Sequence, residues 1–293
     1  MTAYRFVERM KGSFHLRTLC RVLDVSPSGY RAWETRQPSS RSIVDVGLLT
    51  EIREIHAGSR GTYGAPRVHA TLRGRGRRVG RKRVARLMRD DGLVGVHRRR
   101  RVVPIPRPPA KAAVTAPDLV HRRFAAEAPN QLWVADITSI PTGEGFLHLA
   151  TVLDVYSRRV VGWAAADHLG TGLVLAAVDV AIAARSPGPG LIHHSDRGSQ
   201  YASVALGARL AETGISVSMG APGSAYDNAL AEAFFASLET ELIDRAAWPT
   251  RDDALGDVLG WIDFYNGTRL HSSIGYQAPI EFERRVVPAA VPV

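Results

Sequence analysis

Between His97 and Pro117 this chain of 293 residues cannot build a packed element, and that stretch divides everything else. It runs from His97-Arg98-Arg99-Arg100-Arg101 into five prolines, Pro104, Pro106, Pro108, Pro109 and Pro117. Like charges in a row repel and each proline removes a backbone donor, so the segment reads as a basic, extended linker able to track phosphates. The two sides of this break differ in charge. Residues 1–129 hold 28 Lys and Arg against 10 Asp and Glu, a net of +18, whereas residues 130–293 hold 10 against 18, a net of −8. A basic half favours a polyanion by releasing its condensed counterions, and an acidic half repels the same polyanion unless cations intervene. The contrast points to a nucleic acid as partner, with divalent metal between the two.

Apolar residues make up 45% of the chain, which excludes disorder throughout, and the length suggests about two domains. No apolar run approaches the roughly 18 residues that span a bilayer, and the start of the sequence lacks a signal-peptide pattern. A cytoplasmic, nucleoid-associated location with no membrane partner is the expectation. Cys20 is the only cysteine, so no internal disulfide and no multi-cysteine zinc site can form; it reads as a small buried apolar residue.

In the basic half, Phe14, Leu16, Leu19, Val22 and Leu23 recur at helical spacing, and a second helix carrying Tyr30 and Trp33 follows a turn at Val25-Ser26-Pro27. Ser26 suits the N-cap and Pro27 the first helical position. Two short helices across a tight turn form a helix-turn-helix pattern, although small helical hairpins share it. Leu48 to Ala57 predicts an amphipathic helix with Leu48, Leu49, Ile52 and Ile55 on one side, broken by the segment from Gly58 to Gly64. Pro66 opens another helix through Leu72, and Gly80 precedes one from Arg81 to Asp90, with Val84, Leu87 and Met88 facing inward. Arg81, Lys82, Arg83, Arg86 and Arg89 cover the rest of that helix. Residues 60–111 hold 17 Lys and Arg against 2 acids, too one-sided for a merely solvated face, so nucleic-acid contact leads.

From Gln131 the texture changes to short β-rich runs, Leu132 to Thr138, Phe146 to Asp154 and Val160 to Ala165, which predict a three-strand meander. A helix from Thr171 to Ala184, a buried strand Leu191 to Ser195, a helix from about Tyr201 to Glu212 and a fifth strand Ile215 to Ser218 follow. Three antiparallel strands and then alternating helix and strand suggest a mixed five-stranded sheet flanked by helices. Asp136 falls inside the first strand, where a charge needs a partner. Asp196 falls just past a strand's carboxyl end, the usual ligand position in such sheets. Glu232 falls near the start of a helix that Asp227 or Asn228 can cap, beside the apolar stripe Leu230, Phe234, Leu238 and Leu242. Each taken singly also reads blandly: a hydrogen-bonded strand acid, an Asx turn, a first-turn glutamate favoured by the helix dipole.

Taken together, five blocks of residues carry a resemblance. They are Trp133-x-x-Asp136-Ile137-Thr138, then Leu153-Asp154-x-x-Ser157-Arg158-x-Val160-Val161-Gly162-Trp163, then His194-Ser195-Asp196-Arg197-Gly198-Ser199-Gln200-Tyr201. Tyr226-Asp227-Asn228-x3-Glu232-x-Phe234-Phe235 and Phe264-Tyr265-Asn266-x-x-Arg269-x-His271-Ser272 complete the set, with 35 residues between Asp196 and Glu232. The chain resembles the second-reading-frame transposases of bacterial insertion sequences, whose catalytic core is related to retroviral integrases. Upstream, Arg60-Gly61-Thr62-Tyr63-Gly64-x-x-Arg67-Val68-His69 and the block from Val79 to Met88 resemble the family's helix-turn-helix module.

The resemblance implies a ribonuclease H-like α/β core preceded by small all-α DNA-binding segments. Its expected organisation is a helix-turn-helix-like segment at 1–40, a basic helical domain at 41–96, the linker at 97–128 and the catalytic core with a helical extension at 129–293. It implies Asp136, Asp196 and Glu232 as catalytic metal ligands for two magnesium ions, with manganese able to replace them. DNA contacts are expected from Arg60, Arg67, Arg81, Lys82, Arg83, Arg86, Arg98, Arg99, Arg100, Arg101, Arg269 and His271. Partners implied are the element's terminal inverted repeats, target DNA, further copies of the chain and the product of an upstream frame. Water would first free a 3′-hydroxyl, which then attacks target DNA, with no covalent protein intermediate.

Asp154 competes for a ligand role but can equally cap the turn before Tyr156, and His193 and His194 suit a transition metal less well than the acids suit magnesium. One departure stands out. The family usually has Lys or Arg two turns after the glutamate, where this chain has Glu239, about 10 Å along the same helix face. The expected consequence is weakened recognition of the element end, or compensation by Arg269 or His271. Two other classes fit parts of the pattern: a DNA-binding regulator that has lost catalysis, and a structure-specific nuclease of the same fold.

Overall fold

A computed structural model of the chain describes residues 2–37, 39–97, 116–220 and 228–286. The linker residues Arg98, Arg99, Arg100 and Arg101, the prolines from Pro104 to Pro109, and Asp227 lie outside the described residues.

Three short helices come first, α1 (Ala3–Met10), α2 (Leu16–Val22) and α3 (Pro27–Glu34). Ser26 caps α3, its hydroxyl accepting from the Gly29 amide at 2.9 Å. Val7, Leu19, Cys20 and Tyr30 make a small core of their own, so Cys20 is buried as its type predicts. The sequence gives no expectation of α1, because only Val7 of its eight residues is buried and apolar periodicity over so short a run is thin.

The second helical unit comprises α4 (Ser40–Gly58), α5 (Ala65–Gly74) and α6 (Arg81–Asp90). Helix α4 starts eight residues before the expected Leu48, because Ser39 supplies an N-cap, accepting from Ser42 N at 3.2 Å. Its added turns leave Ile43, Val44 and Val46 exposed, which is why burial periodicity could not find them. Leu48, Ile52, Ile55, Tyr63, Val68, Leu72, Val84, Leu87 and Met88 form this unit's core, with the three inward residues of α6 as expected.

The sheet of the acidic half has five strands in the order β3-β2-β1-β4-β5. Strands β1 (Leu132–Thr142), β2 (Gly145–Asp154) and β3 (Val160–Ala166) form an antiparallel meander, and β4 (Ile192–Ser195) and β5 (Ser216–Met219) run parallel to β1. One face packs on α9 (Ala229–Glu241) and α10 (Arg251–Gly267) through Leu132, Val134, Leu149, Leu153, Phe234, Leu238 and Trp261. The other packs on α7 (Thr171–Arg185) and α8 (Val204–Glu212) through Trp133, Ala135, Val152, Val161, Val174, Ala177 and Leu210. Gly162 lets α7 approach β3: a Cβ there would fall 2.2 Å from the Ala177 carbonyl oxygen. The last helix, α11 (Pro279–Val286), brings Glu283 under the β2–β3 turn, where it accepts from Ser157 Oγ at 2.6 Å and Arg185 Nη2 at 2.7 Å.

Candidate active site and the joint beside it

The parallel register of β1 and β4 pairs Leu132 with Ile192, Trp133 with His193 and Val134 with His194, where the ladder stops. Two residues further along each chain stand Asp136, still within β1, and Asp196, one residue past the end of β4. Both are half-buried. Asp136 Oδ1 accepts from the Ile137 amide at 2.8 Å, and Asp196 Oδ1 from the Gly198 amide at 3.0 Å. Both charges reach the Tyr201 hydroxyl, whose pKa is raised well above the ordinary tyrosine value, first by complete burial and then by Asp136 and Asp196.

Glu232 is exposed on the first turn of α9. That helix is anchored at its start by Asn228, whose Nδ2 donates to the Ala135 carbonyl at 3.2 Å, and along its length by Leu230, Ala231, Phe234 and Leu238. Among the described residues no three His, Cys, Asp or Glu side chains come together as a metal-holding group. Asp136 lies on β1 and Asp196 just past the end of the neighbouring β4, each supplying hard oxygen donors, and Glu232 lies on α9. Carboxylates repel one another, and a third closes on two only against a cation's charge. The pair suits magnesium or manganese by donor chemistry.

Asp154 takes the capping role. It is fully buried and accepts from Asn130 N at 2.7 Å and Tyr156 N at 2.9 Å, with the Arg185 guanidinium at 3.4 Å. His193 is also fully buried and its pKa is lowered to about 4 by burial and then by His194, so it stays neutral. Its ring lies 6.3 Å from that of Tyr201. His194 Nδ1 meets Ser218 Oγ at 2.8 Å.

The basic residues separate into two kinds. Arg81, Lys82 and Arg89 are exposed on α6, while Arg83 and Arg86 turn to Asp45 on α4 at 2.7 and 2.6 Å. Arg269 and His271, expected at DNA, are instead only 4% and 8% exposed. Arg269 grips Glu241 at the end of α9 with Nε and Nη2, at 2.8 and 2.7 Å. Burial, then the Arg269 and Arg67 charges, push His271 down to about 2, so its imidazole is neutral. Arg67 donates to the Leu270 carbonyl at 3.0 Å and reaches Glu241 at 3.4 Å. Arg60 lies 5.9 Å over the Phe264 ring and its carbonyl accepts from Arg245 at 2.9 Å. With Tyr63 Oη accepting from Leu270 N at 2.7 Å, these contacts form a joint between the α4–α6 unit and the sheet unit. Motif spacing could not separate a buried joint from a DNA surface, because both are built from arginine.

The chain matches the Integrase core domain family over residues 126–225, a second Integrase core domain family over 213–279 and the HTH-like domain family over 44–101. It is 42% identical, over 89% of its length and 95% of the relative's, to a protein named for the transposase of insertion sequence element IS986/IS6110 of Mycobacterium tuberculosis. It is 37% identical to the transposase for insertion sequence element IS629 of Shigella sonnei, covering 95% of this chain and 94% of that one. It is 36% identical to the transposase for insertion sequence element IS904 of Lactococcus lactis, covering 85% and 98%. Among solved structures, a chain of the simian T-cell lymphotropic virus intasome aligns over 83% of this chain and 77% of its own, with 15% identity and a TM-score of 0.48. Sequence identity at this level across nearly the whole length assigns the chain to the insertion-sequence transposases with an integrase core.

Proposed function

We propose that this transposase cuts and joins DNA strands beside the middle of β1 and the carboxyl end of β4, with Asp136, Asp196 and Glu232 holding divalent cations against the scissile phosphate. The observation that carries this reading is the placement of Asp136 on β1 and Asp196 just past the end of the neighbouring parallel strand β4, each two residues beyond the last paired residues of that ladder. Two magnesium ions, or manganese in their place, supply charge stabilisation for the attacking and leaving oxygens of an in-line displacement. The chain's own part is to hold and orient. The amides of Ile137 and Gly198 fix one oxygen of each aspartate, and α9 carries Glu232, in this reading the third ligand. The exposed Arg81, Lys82 and Arg89 of α6 contact phosphates, and the basic segment from Arg98 to Arg101 extends that contact. Element ends and target DNA are the substrates, and joining two ends requires at least two copies of the chain. Where an upstream frame supplies further DNA recognition, its product would act with this chain.

Incubation of the full chain with magnesium and labelled element ends separates the readings. Joined products support the transposase mechanism, cleavage alone favours a nuclease and binding alone a regulator. Asp136→Asn is expected to abolish cleavage and joining while retaining DNA affinity at or above the parent's. Equal activity in that variant refutes the site.

A further inference from the structure

An asparagine at a helix N-terminus ordinarily turns its side-chain oxygen onto the amides of the first turn. Asn228 of α9 makes no such bond. Its Nδ2 donates instead to the Ala135 carbonyl of β1 at 3.2 Å, and its Oδ1 is buried with no hydrogen-bond partner. Both features oppose stability, since a cap is forgone and an acceptor is desolvated without compensation. A residue set against its local preference in this way marks a place where geometry serves something other than folding.

What it serves follows from position. The ladder between β1 and β4 ends at Val134 and His194, so the Ala135 carbonyl is the first beyond the paired segment and belongs to the residue immediately before Asp136. Glu232 follows Asn228 by four residues, in the first turn of the helix that Asn228 opens, about 6 Å along the axis. The single bond from Asn228 to Ala135 ties the strand that carries Asp136 to the helix that carries Glu232.

We infer that Asn228 is a positioning residue for the metal-holding carboxylates: its amide sets the height of α9 over β1, and with it the separation of Glu232 from Asp136. This rests on the reading of those acids as cation ligands. Removing the amide lets α9 start from an ordinary cap, and the three acids then close less well on a cation. Groups that orient metal ligands typically change affinity by about 10- to 100-fold when removed.

The test uses Mn2+ binding to the full chain without DNA, followed by the electron paramagnetic resonance signal of free Mn2+, with thermal unfolding recorded in parallel. Asn228→Ala is expected to weaken Mn2+ binding about tenfold or more. Asn228→Ser supplies a standard helix cap but cannot span to Ala135, so it is expected to unfold at or above the parent temperature and still to bind Mn2+ about tenfold more weakly. Parent-like Mn2+ affinity in Asn228→Ser overturns the inference, as does a fall in its unfolding temperature that accounts for the weaker binding. Asp136→Asn serves as the control. If it binds Mn2+ as the parent does, the reading of the acids fails; if it loses Mn2+ while both Asn228 variants keep it, only the role of Asn228 fails.

Discussion

Replacing Glu241 with alanine removes the carboxylate that pairs with Arg269 and Arg67 in the joint between the helical unit and the sheet unit. Arg269, 4% exposed, loses its two-pronged contact at 2.7 and 2.8 Å, and Arg67 loses a longer contact at 3.4 Å. Breaking a buried ion pair from one side costs about 3–5 kcal/mol, because the remaining charge stays desolvated. Arg269 keeps Ser237 Oγ at 3.2 Å and the Tyr265 ring at 5.4 Å, which places the expected loss near the lower end, at about 3 kcal/mol. For a protein of this size each kcal/mol moves the unfolding midpoint by about 2–4 °C, so Tm is expected to fall by about 6–12 °C. Arg67→Ala, whose side chain is 27% exposed and whose contact is longer, is expected to cost about 1 kcal/mol. The double replacement Glu241→Leu with Arg269→Met removes both charges and is expected to recover most of the loss. Thermal unfolding followed by circular dichroism, with urea midpoints as a second measure, reads all four proteins. A Glu241→Ala protein within about 1 kcal/mol of the parent, or a double variant no more stable than the single, refutes the account of the joint as a buried, mutually dependent charge pair.

Three further outcomes follow from particular contacts. Gly162→Ala drives a methyl to 2.2 Å from the Ala177 carbonyl oxygen and 2.7 Å from Ala181 Cβ, so a loss of about 1–3 kcal/mol in urea unfolding is expected; an unchanged midpoint contradicts the close approach of α7. His193 and His271 take up a proton only near pH 4 and pH 2 in the folded chain, against about 6.5 when unfolded. The unfolded state therefore binds more protons below pH 6.5, and stability is lost as pH falls, by on the order of 1 kcal/mol per pH unit for each histidine down to its folded value. Equal urea midpoints at pH 7 and pH 5 would exclude this. Glu239→Lys places a cation on α9 two turns beyond Glu232 and is expected to raise strand-transfer rates on labelled element ends; no gain sinks the idea that Glu239 repels the DNA phosphate.

The strands of the acidic half are legible in the sequence because each is a short β-branched or apolar run bounded by turn residues, and because a chain can connect such runs in few ways. Helix α6 is legible to the residue, since Gly80 bounds it and Val84, Leu87 and Met88 repeat at helical spacing. Helix α1 and the first turns of α4 were not, because their side chains face solvent and local caps rather than core burial define them. Asp136, Asp196 and Glu232 could be singled out from motif spacing, and Asp154 could be recognised as a possible turn cap, but the choice between its two roles needed the amides of Asn130 and Tyr156 and the guanidinium of Arg185.

By itself the sequence determined which residues lie on strands and helices, the charge contrast between the halves and the family to which the acids and their spacing belong, because all of these depend on near neighbours along the chain. Only the tertiary structure decided that Arg67, Arg269 and His271 pack into a joint with Glu241 and Leu270, that Asp136 and Asp196 come from neighbouring parallel strands while Glu232 comes from α9, and that Asn228 is tied to Ala135. Burial and register are relations between segments as many as 207 residues apart, and an arginine's type is the same whether it meets a phosphate or a buried glutamate.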